Sequence, residues 1–415
     1  MVERLGDAVA TSDPNSQGTR IASALNRDVP VAAPDEFGPL SIGPLRVWPP
    51  VVLAPMAGVT NYPFRTLCRR QGAGLFVSEM ITARAFLVGH RTTLLLASSR
   101  PDEAPRSVQV YGTDPKDIGE MVRALVDQGV HHIDMNFGCP VRKVTRLGGG
   151  SAVPVKPRLL ARIVRAAVRS SGAVPVTIKV RKGVDDSLLT FLSSGRVAQE
   201  EGAAAIGLHA RTASQLYSGE ADWDAIGELV QAVSIPVLGN GDIWEAWDAL
   251  RMARATGCAG VIVGRGCLGR PWLFAELAAV FDGCEPAPPP AFGAVADVMR
   301  EHAALLVDFF GPVHGMRQMR KWVTWYTKGF RGSAAVRAQL GGLDDSMALE
   351  AVIARLDPAE PFPIAGLRAH RAKGSQTQRV CLPEGYLDDL DDDTPPRSVH
   401  GEVELGAWEE ALSGG

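Results

Sequence analysis

A cysteine and an asparagine lie three residues apart at the end of a predicted strand, within residues 132–140. A short apolar-rich strand leads up to Asn136, Gly138 breaks it, and Pro140 prevents it from continuing. Cys139 therefore lies in a loop just beyond a strand end, where reactive groups are commonly carried on a rigid scaffold. Most free cysteines are small buried hydrophobes. A functional Cys139 thus depends on whether other strand ends carry polar groups too.

Polar groups do follow other predicted strands of the chain. The predicted strands are Val51–Ala54, Leu75–Ser78, Ser107–Tyr111, His132–Asn136, Val176–Val180, Ala205–His209, Pro236–Gly239 and Gly260–Gly264. Their ends carry Glu79, Gln109, Lys179, Arg181, His209, Arg211, Asn240, Asp242 and Arg265. A purely structural role does not account for so many amides and cations. Glu79 is interpreted either as a substrate-facing carboxylate or as the partner of a barrel cation such as Lys179.

Helix-like segments separate these strands, and this alternation predicts the fold. Examples are residues 114–128, 157–170 and 222–232, which begin at a capping Asp or a Pro. Eight strands alternating with helices favour an α/β fold of the (β/α)8 TIM barrel type over an open doubly wound sheet. No GxGxxG motif follows a strand, so the dinucleotide-binding alternative lacks its main support.

Two glycine-rich turns after the last two strands predict a phosphate site. Barrels commonly hold a phosphate there, because glycines let backbone N–H groups approach an anion. Arg265, in the second turn, can donate in a forked manner to phosphate oxygens. Gln109 and Lys179 suit a flat heteroaromatic ring, and a lysine stabilises the negative charge of a reduced flavin. Together these residues predict a phosphate-tailed flavin, FMN rather than FAD.

Composition limits the class of protein and divides the chain. The 415 residues are 46% apolar and 21% charged, with no apolar run long enough to span a bilayer. The six cysteines form no CxxC pair, which argues against a metal site and for a reducing cytoplasm. We predict a disordered leader over 1–40, a barrel over 41–286, a helical domain over 291–375 and a disordered acidic tail over 384–415. The tail carries ten acidic residues and one Arg.

Several motifs, taken together and in this order, resemble one family. They are Leu53–Arg65, Asp134–Pro140 followed by Lys143, His209–Thr212, Tyr217–Trp223 and Asn240–Ile243. The chain is similar to the tRNA-dihydrouridine synthases over about residues 42–375. The resemblance implies an FMN-bearing barrel, a helical domain that helps to hold tRNA, and NADPH as electron donor. The implied reaction reduces a specific uridine in tRNA to 5,6-dihydrouridine.

The resemblance also implies roles for individual residues. Those implied to bind FMN are Pro55, Met56, Ala57, Gln109, Lys179, His209, Asn240, Gly241, Asp242, Gly264 and Arg265. Hydride would pass from reduced FMN to C6 of the uracil, and Cys139 would give a proton to C5. Asn136, Lys143 and Arg211 would lie near the uracil. A thiol is mostly protonated at neutral pH, which suits Cys139 as a general acid.

The predicted helical domain has a basic stretch from His314 to Arg337, with six Lys/Arg interleaved with aromatic residues and no acidic residue. One interpretation is an RNA-binding surface that includes Arg320 and Lys321. The other is a solvated cationic helix face over an ordinary aromatic core. The opposite charges of this domain and the tail also raise the hypothesis that the tail restrains the domain. We expect a monomer without a membrane segment.

Two other functions remain open from the residues. The first is an FMN barrel that handles free pyrimidines, such as a dihydroorotate dehydrogenase, although the basic helical domain has no purpose there. The second is a non-catalytic RNA-binding barrel that has lost its cofactor. The retention of Gln109, Lys179, Asn240 and Arg265 argues against the second.

Overall fold

Eight parallel strands close into a barrel in which each strand pairs with the next along the chain and the last pairs with the first. The computed structural model describes residues 29–369 and 376–396. The strands are β1 (Leu40–Ile42), β2 (Leu45–Val47), β3 (Val51–Leu53), β4 (Leu75–Thr82), β5 (Ser107–Tyr111), β6 (His132–Phe137), β7 (Val176–Arg181), β8 (Gly183–Asp185), β9 (Leu188–Leu189), β10 (Ala205–His209), β11 (Val237–Asn240) and β12 (Gly260–Val263). Strands β3–β7 and β10–β12 form the barrel, which confirms the predicted fold.

Helices surround the barrel and continue beyond it. They are α1 (Tyr62–Arg70), α2 (Ala83–Leu87), α3 (Arg91–Ala97), α4 (Pro115–Asp127), α5 (Arg142–Thr145), α6 (Pro157–Ser171), α7 (Phe191–Glu200), α8 (Trp223–Ala232), α9 (Ala246–Thr256), α10 (Leu273–Phe281), α11 (Phe292–Phe310), α12 (Pro312–Tyr326), α13 (Ser333–Arg337) and α14 (Ser346–Ile353). Local sequence sets their ends. Asp114, for example, caps α4 by accepting a hydrogen bond from Lys116 N, and Gly129 follows the helix at φ 77°.

The hairpin formed by β1 and β2 closes the N-terminal end of the barrel. Its residues Leu40 and Ile42 are buried in one cluster with Leu75 and Leu238. Those two residues lie near the starts of β4 and β11. The other end of the barrel, where the strands finish, is therefore the end that can admit a ligand.

The C-terminal helices pack onto the barrel through an aromatic core. Helices α11 and α12 pack against each other, and α11 also packs against α1. The ring of Trp322 lies 4.4 Å, between centroids, from both Phe64 and His302. Trp322, Tyr326 and Phe330 are all buried. The prediction of a helical domain is thus confirmed, and the interpretation that places these three aromatic residues on an RNA surface is wrong.

Both predicted disordered ends pack against the barrel over part of their length. Ala32 is buried and its N–H donates to Val280 O at 2.9 Å, while Glu36 pairs with Arg254. Near the other end, Tyr386 is buried. The prediction of disorder is therefore wrong for residues 29–40 and 384–396, because apolar anchors and ion pairs hold them. Residues 1–28, 370–375 and 397–415 lie outside the described part.

Within the described ranges, 29–369 and 376–396, no helix is both long and apolar enough to cross a membrane. In the same ranges, no three His, Cys, Asp or Glu side chains come together in a way that could hold a metal ion.

Candidate active site

A cavity of about 640 Å³ opens at the C-terminal ends of the barrel strands. Every residue that the sequence predicts for cofactor, substrate or catalysis lines it. These residues are Pro55, Met56, Ala57, Gln109, Asn136, Cys139, Lys143, Lys179, His209, Arg211, Asn240, Gly241, Asp242, Gly264 and Arg265. They come from distant parts of the chain, and closure of the barrel brings them together. Their individual roles stay predictions.

A chain of side-chain amides leads to the backbone of Cys139. Gln109 Nε2 donates to Asp134 Oδ2 at 2.7 Å, and Asn136 Nδ2 donates to Gln109 Oε1 at 2.8 Å. The oxygen of Asn136 accepts hydrogen bonds from the backbone N–H groups of Gly138 and Cys139 at 3.1 and 3.0 Å. The orientation of each amide is therefore determined by its neighbour, and the loop that carries the thiol is held at the end of this chain.

The series of hydrogen bonds continues from Asp134 into the barrel interior. Thr177 Oγ1 donates to Asp134 Oδ1 at 2.6 Å and lies 2.9 Å from His132 Nε2, and His132 Nδ1 lies 2.7 Å from Ser107 Oγ. Burial lowers the pKa of His132 to about 3, so its ring is neutral. Sequence reasoning missed Asp134, His132 and Thr177. The alternation of side chains along β6 could have revealed Asp134, because it shares the inward face of Asn136.

The thiol of Cys139 stays protonated at neutral pH. Burial raises its pKa, an effect that backbone contact with Val141 and the charge of Arg181 only partly offset. Arg181 is itself fixed by hydrogen bonds to the carbonyl oxygens of Gly138, Thr212 and Leu216. The site therefore contains an uncharged thiol, which can donate a proton but is a poor nucleophile.

Two basic groups, Lys179 and His209, lie on the neighbouring strands β7 and β10. Lys179 Nζ donates to Asn240 Oδ1 at 2.9 Å. Burial and the nearby Arg181 lower the pKa of Lys179 to about 8, so its ammonium is mostly charged at neutral pH. His209 has a pKa well below its usual value because it is buried among cations, which makes it a neutral hydrogen-bonding group.

Arg265 lies in the turn after β12 with unused hydrogen-bonding capacity. Its guanidinium carbon is 4.0 Å from the ring centroid of Tyr217. Its Nη1 atom is buried and has no hydrogen-bond partner in the described part of the chain. The adjacent Gly266 is required by packing, because a Cβ there would lie 2.1 Å from Ile243 O. The turn thus holds a cation whose buried Nη1 donor can bind an anion.

Arg211 and Asp242 hold each other across neighbouring strand ends. Arg211 Nη2 donates to both carboxylate oxygens of Asp242 at 2.8 Å, and Ala221 N donates to the same carboxylate. Arg211 Nη1 is buried and, among residues 29–369 and 376–396, has no hydrogen-bond partner. The carboxylate therefore orients Arg211, whose remaining donor is available to a ligand.

A buried carboxylate and a lysine of the helical domain hold the loop after β3. Glu79 accepts a hydrogen bond from Gly58 N, and Lys321 Nζ donates to Gly58 O. The interpretation that Glu79 pairs with Lys179 is wrong, because Glu79 accepts from Gly58 N while Lys179 donates to Asn240. Lys321 lines the cavity, and Arg320 pairs with Asp344. Neither is therefore a free cation on an RNA surface.

Comparisons with known proteins show the family of this chain. The family model of dihydrouridine synthase (Dus) matches residues 52–355. A probable tRNA-dihydrouridine synthase of Mycobacterium tuberculosis (strain ATCC 25618 / H37Rv) is 50% identical over 371 residues, which cover 87% of this chain and 95% of that protein. Its counterpart in Mycobacterium leprae (strain TN) is 48% identical over 83% of this chain and 97% of its own length. The tRNA-dihydrouridine synthase B of Pseudomonas putida (strain KT2440) is 41% identical, over 72% of this chain and 88% of its own. This chain belongs to the dihydrouridine synthase family.

Proposed function

We propose that this protein reduces a specific uridine in tRNA to 5,6-dihydrouridine, with FMN as its flavin and NADPH as the electron donor. One observation carries the proposal. Cys139, whose thiol burial keeps protonated, lines the same cavity as Gln109, Lys179 and Arg265. A proton donor, a flavin site and a phosphate site within one cavity fit a reduction in which hydride and proton add to the same substrate.

The residues present fit FMN. Arg265 and its glycine turn suit the terminal phosphate, because its buried Nη1 atom has no hydrogen-bond partner in the described ranges. Lys179 and Gln109 suit the polar edge of the ring, and Pro55, Met56 and Ala57 suit its apolar face. These residues suit a flavin that ends in a phosphate, so FMN is proposed rather than FAD. When bound, FMN reduced by NADPH supplies the hydride that adds to C6 of the uracil.

Cys139 is proposed as the acid that protonates C5. Negative charge develops on the uracil as C6 is reduced, and it spreads through C5 to the C4 carbonyl oxygen. The uncharged thiol then donates its proton to C5. Arg211 and Lys143 are proposed to bind the uracil carbonyls, where their positive charge would stabilise the developing anion. Asn136 keeps the thiol-bearing loop in place.

A uridine stacked inside a folded RNA must leave the stack to reach this cavity. Exposed cations lie next to the opening and on the helical domain. Arg142 begins α5 and Arg146 directly follows it, and Arg317 and Arg331 belong to the helical domain. The side chains of Arg317 and Arg331 are 59% and 90% exposed, against 33% for Arg320, although Arg317 also lies 4.0 Å from Asp344 and Arg331 3.7 Å from Glu360. These more exposed residues, rather than Arg320 and Lys321, are proposed to contact RNA phosphates. A cytoplasmic, monomeric enzyme is consistent with such a substrate.

The visible spectrum of the purified protein tests the proposal. We expect a flavin band that bleaches on anaerobic addition of NADPH and returns on addition of tRNA that lacks dihydrouridine. The same tRNA should then contain dihydrouridine, detected by mass spectrometry of its nucleosides. A reduced flavin that is reoxidised by free uracil or orotate and not by tRNA would instead identify an enzyme of free pyrimidines. A colourless protein that binds no added FMN would overturn the enzyme proposal.

A further inference from the structure

The described part of the acidic tail lies against the loop that carries Cys139. We call residues 376–396 the C-terminal strap. The strap lies beyond residues 52–355, which the family model matches, and the proposed function gives it no role. The loop runs from Gly138, at the end of β6, to Lys156, just before α6. Three separate parts of the strap contact this loop or the helix after it.

The first contact is made by Gln378 next to the thiol-bearing residue. Gln378 Nε2 donates to Pro140 O at 2.7 Å and to Ala213 O at 3.1 Å. Its backbone N–H donates to Ser214 O at 2.8 Å. Pro140 directly follows Cys139, whereas Ala213 and Ser214 belong to the loop after β10. One side chain thus ties together two loops at the cavity opening.

The second contact is made by Tyr386 behind the same loop. Its hydroxyl lies 3.4 Å from Gly148 O and 3.3 Å from Ala152 O. These carbonyls flank Gly150, where an added Cβ would come within 2.5 Å of Cys139 O. The ring of Tyr386 is buried with Ala152 in a small apolar cluster. Tyr386 therefore supports the turn that packs directly against Cys139.

The third contact is electrostatic. Asp392 Oδ2 lies 2.6 Å from Lys156 Nζ, Asp391 pairs with Arg158 at 3.3 Å, and Asp393 pairs with Arg162 at 3.3 Å. All three cations belong to α6 or directly precede it. The hypothesis that the acidic tail restrains the helical domain is therefore wrong for these three acids. They fix the strap to the barrel beside the thiol-bearing loop.

We propose that the C-terminal strap positions Cys139 for proton transfer, with Gln378 and Tyr386 as positioning residues. The inference rests on the proposed function, because it assumes that Cys139 is the acid. A loop held at Pro140, at Gly148 and at Ala152 cannot shift its thiol relative to the cavity. Such a shift of about 1 Å costs an enzyme on the order of a hundredfold in rate.

Single substitutions in the flavin-loaded full chain test the inference. Gln378→Ala removes the contacts to Pro140 and Ala213, and Gln376→Ala is the matched control, because Gln376 is exposed. Tyr386→Phe keeps the buried ring and removes only the hydroxyl. Three quantities are measured: kcat, KM for tRNA, and the rate of Cys139 alkylation by iodoacetamide. Peptide mass spectrometry separates Cys139 from the exposed Cys284, which serves as internal reference.

For Gln378→Ala we expect kcat to fall about tenfold or more with an unchanged KM for tRNA. Alkylation of Cys139 should become several times faster relative to Cys284, because the loop is loosened. Tyr386→Phe should likewise lower kcat and speed the alkylation of Cys139. Gln376→Ala should leave kcat and the alkylation rate unchanged.

A higher KM with unchanged kcat would overturn the inference and identify the strap as an RNA contact. Unchanged kcat and unchanged alkylation in both variants would also overturn it. If the wild-type protein reduces no uridine in tRNA, the proposed function fails, and the alkylation rates alone then decide whether the strap holds the Cys139 loop. The flavin content of each variant is checked first, so that a loss of folding is not read as a loss of positioning.

Discussion

The carboxylate of Asp134 accepts a hydrogen bond from the side-chain amide of Gln109 at 2.7 Å. Because the NH₂ group of Gln109 faces Asp134, its oxygen must face Asn136. Asn136 then donates to that oxygen and turns its own oxygen toward the backbone N–H of Cys139. One buried carboxylate thus determines the direction of each hydrogen bond up to the thiol-bearing loop.

Replacing Asp134 by an apolar residue of similar size should disrupt this order. In Asp134→Leu, Gln109 and Thr177 lose their acceptor. The side-chain amides of Gln109 and Asn136 then have no fixed orientation. We expect the rate of flavin reoxidation by tRNA in a single turnover to fall about tenfold to a hundredfold at saturating FMN. Stopped-flow absorbance of the flavin measures this rate.

Asp134→Asn is the informative control. An asparagine oxygen can still face Gln109 if its NH₂ group faces Thr177. The hydroxyl of Thr177 can then donate to His132 Nε2, and the other ring nitrogen of His132 can donate to Ser107. We therefore expect Asp134→Asn to retain most of the rate. Equal losses in the two variants would show that the charge of Asp134 matters and the orientation of the amides does not.

Removing the thiol should separate flavin binding from turnover. Cys139→Ala deletes the proposed acid and leaves Gln109, Lys179 and Arg265 in place. We expect normal FMN content and a loss of about 10²–10⁴-fold in dihydrouridine formation, the usual contribution of a general acid. Cys284→Ala, which removes an exposed thiol, should behave as the wild type. Normal dihydrouridine formation by Cys139→Ala would remove Cys139 from the mechanism.

The sequence predicted the barrel and the residues around its cavity because both follow from short-range pattern. A strand of four to six residues followed by a turn places its last side chains at one end of any parallel barrel. Gln109, Asn136 and Lys179 could therefore be assigned to one cavity without knowledge of the packing. The same pattern placed His209 and Arg265 there.

Contacts between distant parts of the chain were not predictable in this way. Lys321 lies in a basic stretch typical of an RNA surface, and only the docking of α12 turns it into the cavity. Glu79 and Gly58 meet because two neighbouring strand ends converge. The acidic strap has the composition of a disordered tail, yet the single buried ring of Tyr386 and three ion pairs hold it.

The lowered pKa of Lys179 predicts a pH dependence of flavin binding. Its pKa of about 8 means that the ammonium is lost as the pH rises through 8 in the flavin-free protein. We expect the affinity for FMN to weaken above pH 8, by at most about tenfold per pH unit. The phosphate of FMN has its second pKa near 6 and stays doubly charged over this range. Quenching of flavin fluorescence from pH 6.5 to 9.5 measures the affinity.

Lys179→Met is the matching control for this dependence. It should bind FMN more weakly at pH 7 and show a flat affinity between pH 7 and 9, because no ammonium remains to be lost at this position. An equally steep decline in Lys179→Met would assign the pH dependence to another group, such as a tyrosine near the cavity.

Glu79 should make the folded protein less stable as the pH rises. Burial raises the pKa of Glu79 from 4.5 to about 7, although Gly58 and the charges of Lys321 and Arg65 oppose the rise. Between these two values the folded state binds more protons at Glu79 than the unfolded state does. The free energy of unfolding therefore falls from about pH 4.5 to pH 7, by on the order of 3 kcal/mol from this group, and levels off above.

Glu79→Gln isolates this contribution, because its amide oxygen can still accept the hydrogen bond from Gly58. We expect the variant to lack the part of the slope that Glu79 causes, as measured by urea unfolding at pH 5, 6 and 7. Lys321→Met removes the positive charge near Glu79 and should therefore steepen the fall of the unfolding free energy with pH. The same substitution should have no such effect in the double variant with Glu79→Gln. Identical slopes in wild type and Glu79→Gln would mean that Glu79 is ionised throughout. The helical domain would then hold the loop at Gly58 through an ordinary ion pair.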